Sequence, residues 1–400
     1  MLGTDYPEKK VCITGAGQSD VGRPSERTAL QLTVDACSRA LADAGLSPAQ
    51  IDGLTTYPGK SGDSGGFSPV SSTEVMLALG LEPTWVGAST EGHAHMSAII
   101  SAIQAIACGL CRHVLVFRTV AQSTARLRSK SSTLLGGGGE STARLEGPNS
   151  WYLPFGALSP VNIWALYAQA YFTKYGATAE QLGAIAVNGR RMAALNPNAI
   201  YRKQLTIEDY LASRLISSPL RLFDCDTHID GSTALLLSHR DAARDMPRQP
   251  IAIEAMGMSI GGLGVGLHTG DFTALPAAKA GAMLWSRTDL KPTDVDVAQI
   301  YDGFSILTLL WLEALQFCGR GEAAAFVEGG SRIGLDGELP LNTSGGQLSA
   351  GRFHGYGHTH EACLQLWGLA GERQVEDAKV CVVANGGYGY GALLLRVDCR

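Results

Sequence analysis

The chain has 400 residues, 45% hydrophobic and 17% charged, with a formal net charge of −5. That is enough apolar material for a large core in two or three domains, and the mild acidity gives no basis for binding nucleic acid or an anionic membrane. No apolar run is long enough to span a bilayer. The start, MLGTDYPEKKVCITGAG, lacks an apolar signal core, and the nine cysteines sit mostly in apolar stretches. The expectation is a cytoplasmic protein with reduced, buried thiols.

In chain order, KVCITGA (10–16) reads as a buried strand ending in glycine. Residues 28–44 read as an amphipathic helix stopped at Gly45. A short strand follows at 51–56. SAIISAIQAIAC (97–108) is apolar nearly all round, as a helix at the centre of a domain is, and HVLVFRTV (113–120) reads as a parallel strand. Alternating strands and helices predict a layered α/β class. Residues 121–150 interrupt it with Ser, Thr, Arg and Gly around Gly136–Gly139, a long loop. Arg126, Arg128 and Lys130 there are candidates for CoA phosphates or a partner's acidic groups, against a solvated loop. The aromatic stretch 152–175 predicts a substrate or subunit surface. Strand-like runs return between 212 and 237, at 251–258, at 379–384 and at 392–397, the last two joined by NGGYGYG (385–391). Cys108-Gly-Leu-Cys111 has redox spacing, but its place between helix and strand favours two buried thiols.

The chain repeats itself. Leu46, Pro48, Ile51 and Asp52 recur as Leu290, Pro292, Val295 and Asp296. Gly92-His93-Ala94-His95 opens one apolar run and Gly357-His358-Thr359-His360 another. A repeat this long indicates a duplicated domain, with halves at 1–248, carrying an excursion over 121–215, and 249–400. Matching Gly-His-x-His segments predict one composite site between them.

Several motifs converge: NTSGGQLSAGR (342–352), YDGF (301–304), the terminal NGGYGYG, and the stretches 171–199 and 217–231. Together they resemble the thiolase superfamily, in its sterol-carrier-type branch. The resemblance spans nearly the whole chain and implies the thiolase fold: two βαβαβαββ halves in a five-layer αβαβα sandwich. Fold alone does not give function, and the site departs from the thiolase pattern. Ser89 stands where the nucleophilic cysteine is expected, Arg352 where the histidine of the Gly-His-Pro loop is expected, and Val383, Ala384 and Asn385 precede the Gly386-Gly387 pair in place of the second cysteine. An acyl-cysteine route needs a thiolate.

What remains is enolate chemistry on an acyl-CoA. The chain resembles the thiolase-fold aldolases of steroid side-chain degradation, which lack the same cysteines. That resemblance implies a carbon–carbon lyase, retro-aldol cleavage of a β-hydroxyacyl-CoA to a ketone and a short acyl-CoA. It gives Tyr301 a catalytic role and leaves the acid/base partner open at Arg352. It also implies a homodimer and a small OB-fold/zinc-ribbon partner protein or hydratase subunit. The alternatives are an acyltransferase or condensing component without a cysteine nucleophile, and a non-catalytic acyl-CoA or lipid-binding scaffold.

Each candidate has a plainer reading. Tyr301 could be a core tyrosine. Arg352, always charged, stabilises an enolate or phosphate or forms a structural ion pair. His93, at a helix N-terminus, is a candidate neutral base. His354, Tyr356 and His358 lie in a glycine-rich loop able to approach a ligand; His95 and His360 are read as packing residues. Ser89, Gly345, Gly346, Gly386 and Gly387 are expected to contact substrate. His-x-His spacing can hold zinc, but a zinc site would normally add a Cys or carboxylate at suitable spacing, so neither a metal nor a cofactor beyond the CoA thioester is expected.

Overall fold

One strand order occurs twice in this chain. The computed structural model describes residues 6–60, 65–88, 94–128, 153–157, 159–261, 271–387 and 389–397. The first set of strands is β1 (Val11–Gln18), β2 (Gly53–Thr56), β3 (Trp85–Ala88) and β4 (His113–Ala121). A two-stranded ribbon of β5 (Leu215–Ser217) and β6 (Leu220–Arg221) stands apart, and β7 (Asp230–His239) completes the set. The second set is β8 (Ile251–Ile260), β9 (Val297–Ile300), β10 (Val380–Asn385) and β11 (Gly389–Val397). Reading outward from the middle, the orders are β1-β7-β4-β2-β3 and β8-β11-β10-β9. Corresponding neighbours share a direction: β1–β7 and β8–β11 are antiparallel, while β2–β4 and β9–β10 are parallel. A parallel bridge from Ala298 to Leu341 stands in the second set where β3 stands in the first. The two sets meet through β1 and β8, where Cys12 faces Ala252 and Ile13 faces Ile251, so nine strands form one mixed sheet.

The repeated aspartates explain themselves physically. The Asp52 carboxylate accepts from the backbone N–H groups of Arg112 and His113, both at 2.8 Å, where β4 begins. The Asp296 carboxylate does the same for Lys379 (2.8 Å) and Val380 (2.9 Å) at the start of β10. Each is preceded by a single 3-10 turn opened by the repeated proline, Pro48–Gln50 and Pro292–Asp294. The motif therefore ties a parallel strand to its neighbour by filling backbone donors that would otherwise lack partners.

The helices complete five layers. Helix α1 (Ala29–Ala44) is held at one end by a capping box between Thr28 and Gln31 and at the other by left-handed Gly45. It packs on the outer face of the first set of strands. The second helix, α2 (Ser72–Leu79), lies beside it. Helix α3 (Ser97–Ala107) and the helix Tyr356–Leu366 fill the middle layer, in a core with residues from both strand sets. The helices Ala277–Trp285 and Ser305–Ala314 cover the far side. Contacts are close enough to require glycine: a Cβ on Gly15 would stand 2.3 Å from the Ala40 carbonyl, and one on Gly257 1.9 Å from that of Ala280. The residues between β4 and β7 include the helices Pro160–Tyr175, Ala179–Ala194 and Ile207–Ala212. Among the described residues no helix is long and apolar enough to cross a membrane.

Candidate active site

The two middle-layer helices begin side by side, and a histidine stands two residues before each, His95 ahead of Ser97 and His354 ahead of Tyr356. Their ring centroids are 5.1 Å apart. Tyr301, one residue past the end of β9, brings its ring to 5.1 Å from His95. Strand pairing fixes that place, because the Tyr301 N–H donates to the Ala384 carbonyl at 2.9 Å. Tyr57 closes the other side of His95 edge-on at 5.4 Å, and Phe67 stacks edge-on against His354 at 4.5 Å. All three core members, Tyr301, His95 and His354, are buried.

Two polar side chains hold the imidazoles. Asn385, the last residue of β10, has its amide oxygen 3.2 Å from His95 Nδ1, and its amide nitrogen donates to the His354 carbonyl at 3.1 Å. Arg118 of β4 is wholly buried and donates from Nη2 to His354 Nδ1 at 2.8 Å and from Nη1 to the Tyr57 carbonyl at 2.9 Å. Its guanidinium also lies 4.6 Å from the Phe67 ring centre. Burial, reinforced by Arg118, pushes His95 down to about 3 and His354 well below the usual histidine range, so both rings are neutral at neutral pH. Burial also lowers Arg118, to about 10, which leaves it charged.

The expected site residues divide. Tyr301 and His354 meet at His95. Arg352 lies at the margin, where it pairs with Asp226 at 3.0 Å and donates to Gln122 Oε1 at 2.9 Å. Its charge still reaches inward, as one of the causes depressing both His95 and His354. Burial lifts the Asp226 carboxyl to about 6 despite that pairing. Tyr356 points into the apolar core, and burial raises its phenol. His358 Nε2 lies 3.1 Å from an Asp302 carboxylate oxygen but is misaligned for a hydrogen bond. It lines a separate small cleft, with about 40 Å³ of space open to water, shared with Gly346 and Gln347. Tyr301, His95 and His354 do not line that cleft, which is far below the size of a CoA-thioester pocket.

The glycines have close neighbours. A Cβ on Gly345 would stand 2.6 Å from Ala193, one on Gly346 1.9 Å from the Asp302 carboxylate, and one on Gly387 2.8 Å from Trp164. The Gly386 carbonyl accepts from the Trp311 indole at 3.0 Å. Ser89, His93 and Lys130 lie outside the described residues.

Three members of the cluster were not among the expected site residues: His95, Arg118 and Asn385. Aligning the two Gly-His-x-His segments by their glycines pairs His93 with His358 and leaves His95 as a packing residue. Aligned by helix start, His95 corresponds to His354. A lone arginine inside the apolar strand HVLVFRTV is itself a signal, since arginine is rarely buried without a task.

This fold with a buried tyrosine–histidine site and altered thiolase positions defines a thiolase-like enzyme class. The thiolase C-terminal domain-like family matches residues 267–393. The chain is 34% identical to the 17-hydroxy-3-oxo-4-pregnene-20-carboxyl-CoA lyase of Mycobacterium tuberculosis over 395 residues, covering 96% of this chain and 99% of that one. It is 32% identical to the steroid side-chain-cleaving aldolase of Thermomonospora curvata over 399 residues, covering 96% and 97%. A solved structure described as an Ltp2-ChsH2(DUF35) aldolase superposes with a TM-score of 0.86 at 31% identity, covering 98% of this chain and 99% of that one. The chain belongs to the family of thiolase-fold, steroid side-chain-cleaving aldolases.

Proposed function

We propose that the chain is a carbon–carbon lyase that cleaves a steroid side-chain β-hydroxyacyl-CoA by retro-aldol reaction. A base takes the β-hydroxyl proton, the carbonyl forms at Cβ, and the Cα–Cβ electron pair moves into the thioester as an enolate. Protonation at Cα releases a short acyl-CoA beside the ketone. The observation that carries this reading is the buried cluster itself. A tyrosine sits against one neutral imidazole, which meets a second that has a guanidinium behind it, suited to moving a proton and holding an oxyanion. Acyl-cysteine chemistry finds no support, because burial raises the thiols of Cys37, Cys111, Cys225, Cys318, Cys363 and Cys381. Cys108 lies at the opposite end of α3 from His95.

In this mechanism Tyr301 relays the β-hydroxyl proton, with Arg352 and Asp226 at the rim of the site. The reaction is redox-neutral and needs no cofactor beyond the CoA of the substrate. A homodimer fits β3, a sheet edge among the described strands, with Val86 and nearby Leu77 of α2 exposed. The two-component description of the solved relative supports a second protein as partner, and the family resemblance implies that it is of the OB-fold/zinc-ribbon type or a hydratase subunit. Free thiols throughout the described chain support a cytoplasmic location. The halves are taken to divide between residues 248 and 249, ahead of β8.

Removing one positioned acid/base group typically costs about 10²–10⁴-fold in rate. Tyr301→Phe is therefore expected to lose kcat to that extent while still binding the acyl-CoA. Cleavage by Tyr301→Phe at near wild-type rate would remove Tyr301 from the mechanism.

A further inference from the structure

Arg118 is a wholly buried cation, and among the described residues no carboxylate stands within ion-pair distance of it. Its donors go to two backbone carbonyls, of Tyr57 and Thr119, and to His354 Nδ1, while its Nε–H has no partner. Burying a charge without a counter-charge is costly. Such a preorganised buried cation suits a negative charge that develops beside it during reaction.

The hydrogen bonds also fix both imidazole tautomers. A guanidinium can only donate, so His354 Nδ1 offers its lone pair and the proton sits on Nε2. Asn385 spends its N–H₂ on the His354 carbonyl, so its oxygen faces His95 Nδ1. That nitrogen carries hydrogen, and His95 Nε2 keeps a lone pair. Two neighbouring neutral rings therefore present opposite faces of the same chemistry: His354 offers a donor, His95 an acceptor beside Tyr301.

We propose that Arg118 is a positioning residue for enolate formation: it locks His354 as an Nε2–H donor to the thioester oxygen and supplies the buried positive charge that the enolate neutralises. This rests on the lyase reading above. The β-hydroxyl proton leaves toward Tyr301 and the lone pair of His95. The Cα–Cβ pair becomes the enolate, held by His354 Nε2–H. The proton returns to Cα, so no proton or electron is gained or lost overall. Arg118 touches no reacting atom and acts through His354.

Enolate formation can be read apart from cleavage. With propionyl-CoA in D₂O, the enzyme should exchange the α-protons, followed by mass spectrometry. Arg118→Gln is expected to slow both exchange and cleavage about 100-fold with KM changed less than about threefold, a typical cost for one oxyanion-stabilising donor. Arg118→Lys, which keeps charge but not the fork, should fall between. Exchange in Arg118→Gln within about threefold of wild type overturns the proposal and leaves the lyase reading intact. A wild-type enzyme that neither exchanges propionyl-CoA nor cleaves any β-hydroxyacyl-CoA sinks the lyase reading and the proposal with it. Should Arg118→Gln not fold, ¹⁵N spectra of histidine-labelled wild-type protein decide. His354, assigned by its loss in His354→Asn, must show Nε2–H with a bare Nδ1, and an Nδ1–H signal overturns the proposal.

Discussion

Gly355→Ala separates the site from the scaffold. Gly355 sits at φ +83°, and a Cβ there would lie 1.5 Å from Asn385 Nδ2. That amide cannot step aside cheaply, because it bridges the His354 carbonyl at 3.1 Å and His95 at 3.2 Å. The left-handed backbone costs an alanine about 1–2 kcal/mol. Breaking two buried hydrogen bonds adds about 1 kcal/mol each, with a further penalty for partners left unsatisfied. The sum is about 3–5 kcal/mol. With about 2.1 cal/mol/K of unfolding entropy per residue, a chain of this length loses roughly 1 °C of Tm per kcal/mol, so the expected drop is roughly 4–6 °C. Gly368→Ala is the control: it has φ +69° but nothing within 4 Å of its Cβ. It should lose about 1–2 °C and no activity, on the backbone cost alone. Thermal melts and steady-state cleavage on both variants give the comparison. Gly355→Ala should also lose kcat about 100-fold, as expected for a disordered acid/base pair. Equal melting temperatures and equal kcat in the two variants would refute the Asn385 bridge as the element that holds the histidines.

Asp52→Ala and Asp296→Ala should each cost about 2–3 kcal/mol in urea unfolding, the loss of hydrogen bonds to a charged acceptor, with KM unchanged; a loss at only one of the two would argue that the repeated motif does different work in each place. Stability should also fall as pH drops below about 6.5. In the unfolded chain histidines protonate near 6.5, whereas burial holds His95 and His228 down to about 3 and His360 to about 4. The unfolded state therefore binds more protons, and each such group withdraws about 1.4 kcal/mol per pH unit between its unfolded and folded pKa. Asp224 and Asp226, raised to about 6 by burial, act in the opposite sense between about 6 and 3.8 and offset part of the loss. Urea midpoints at pH 7.5, 6 and 5 check the sign; a midpoint that rises on acidification contradicts neutral buried histidines.

The scaffold was legible where local chemistry and global fold agree. Residues 97–108 are apolar nearly all round and contain a middle-layer helix, and the strand runs at 10–16, 113–120 and 379–384 lie within or overlap β1, β4 and β10. The repeated Leu-x-Pro…Asp segment was visible because its job, capping the next parallel strand, is local and sequence-specific. The pairing of β1 with β8 was not legible. It joins residues 12 and 252 through backbone hydrogen bonds that leave no mark on side-chain pattern. Nor does composition say which of two apolar faces a central strand turns to which helix, since both are buried.

The site was legible in kind but not in register. Tyr301 entered through the resemblance of its YDGF motif and His354 through its glycine-rich loop, and the structure brings both to His95. The matching histidine was misplaced because motif spelling, Gly-His-x-His, was used to align the halves, whereas the helix start is what the fold conserves between them. Counting back from Ser97 and Tyr356 pairs His95 with His354, and the rings do meet. Arg118 stands out as an arginine in an apolar strand, but its partners, like those of Asn385, stay hidden for a different reason. Each sits in a strand whose neighbours are apolar, and its importance lies in which nitrogen or carbonyl it reaches far along the chain. A tautomer is decided by such long-range partners, so the two imidazoles become distinguishable as donor and acceptor only when the strand ends of both halves are in place.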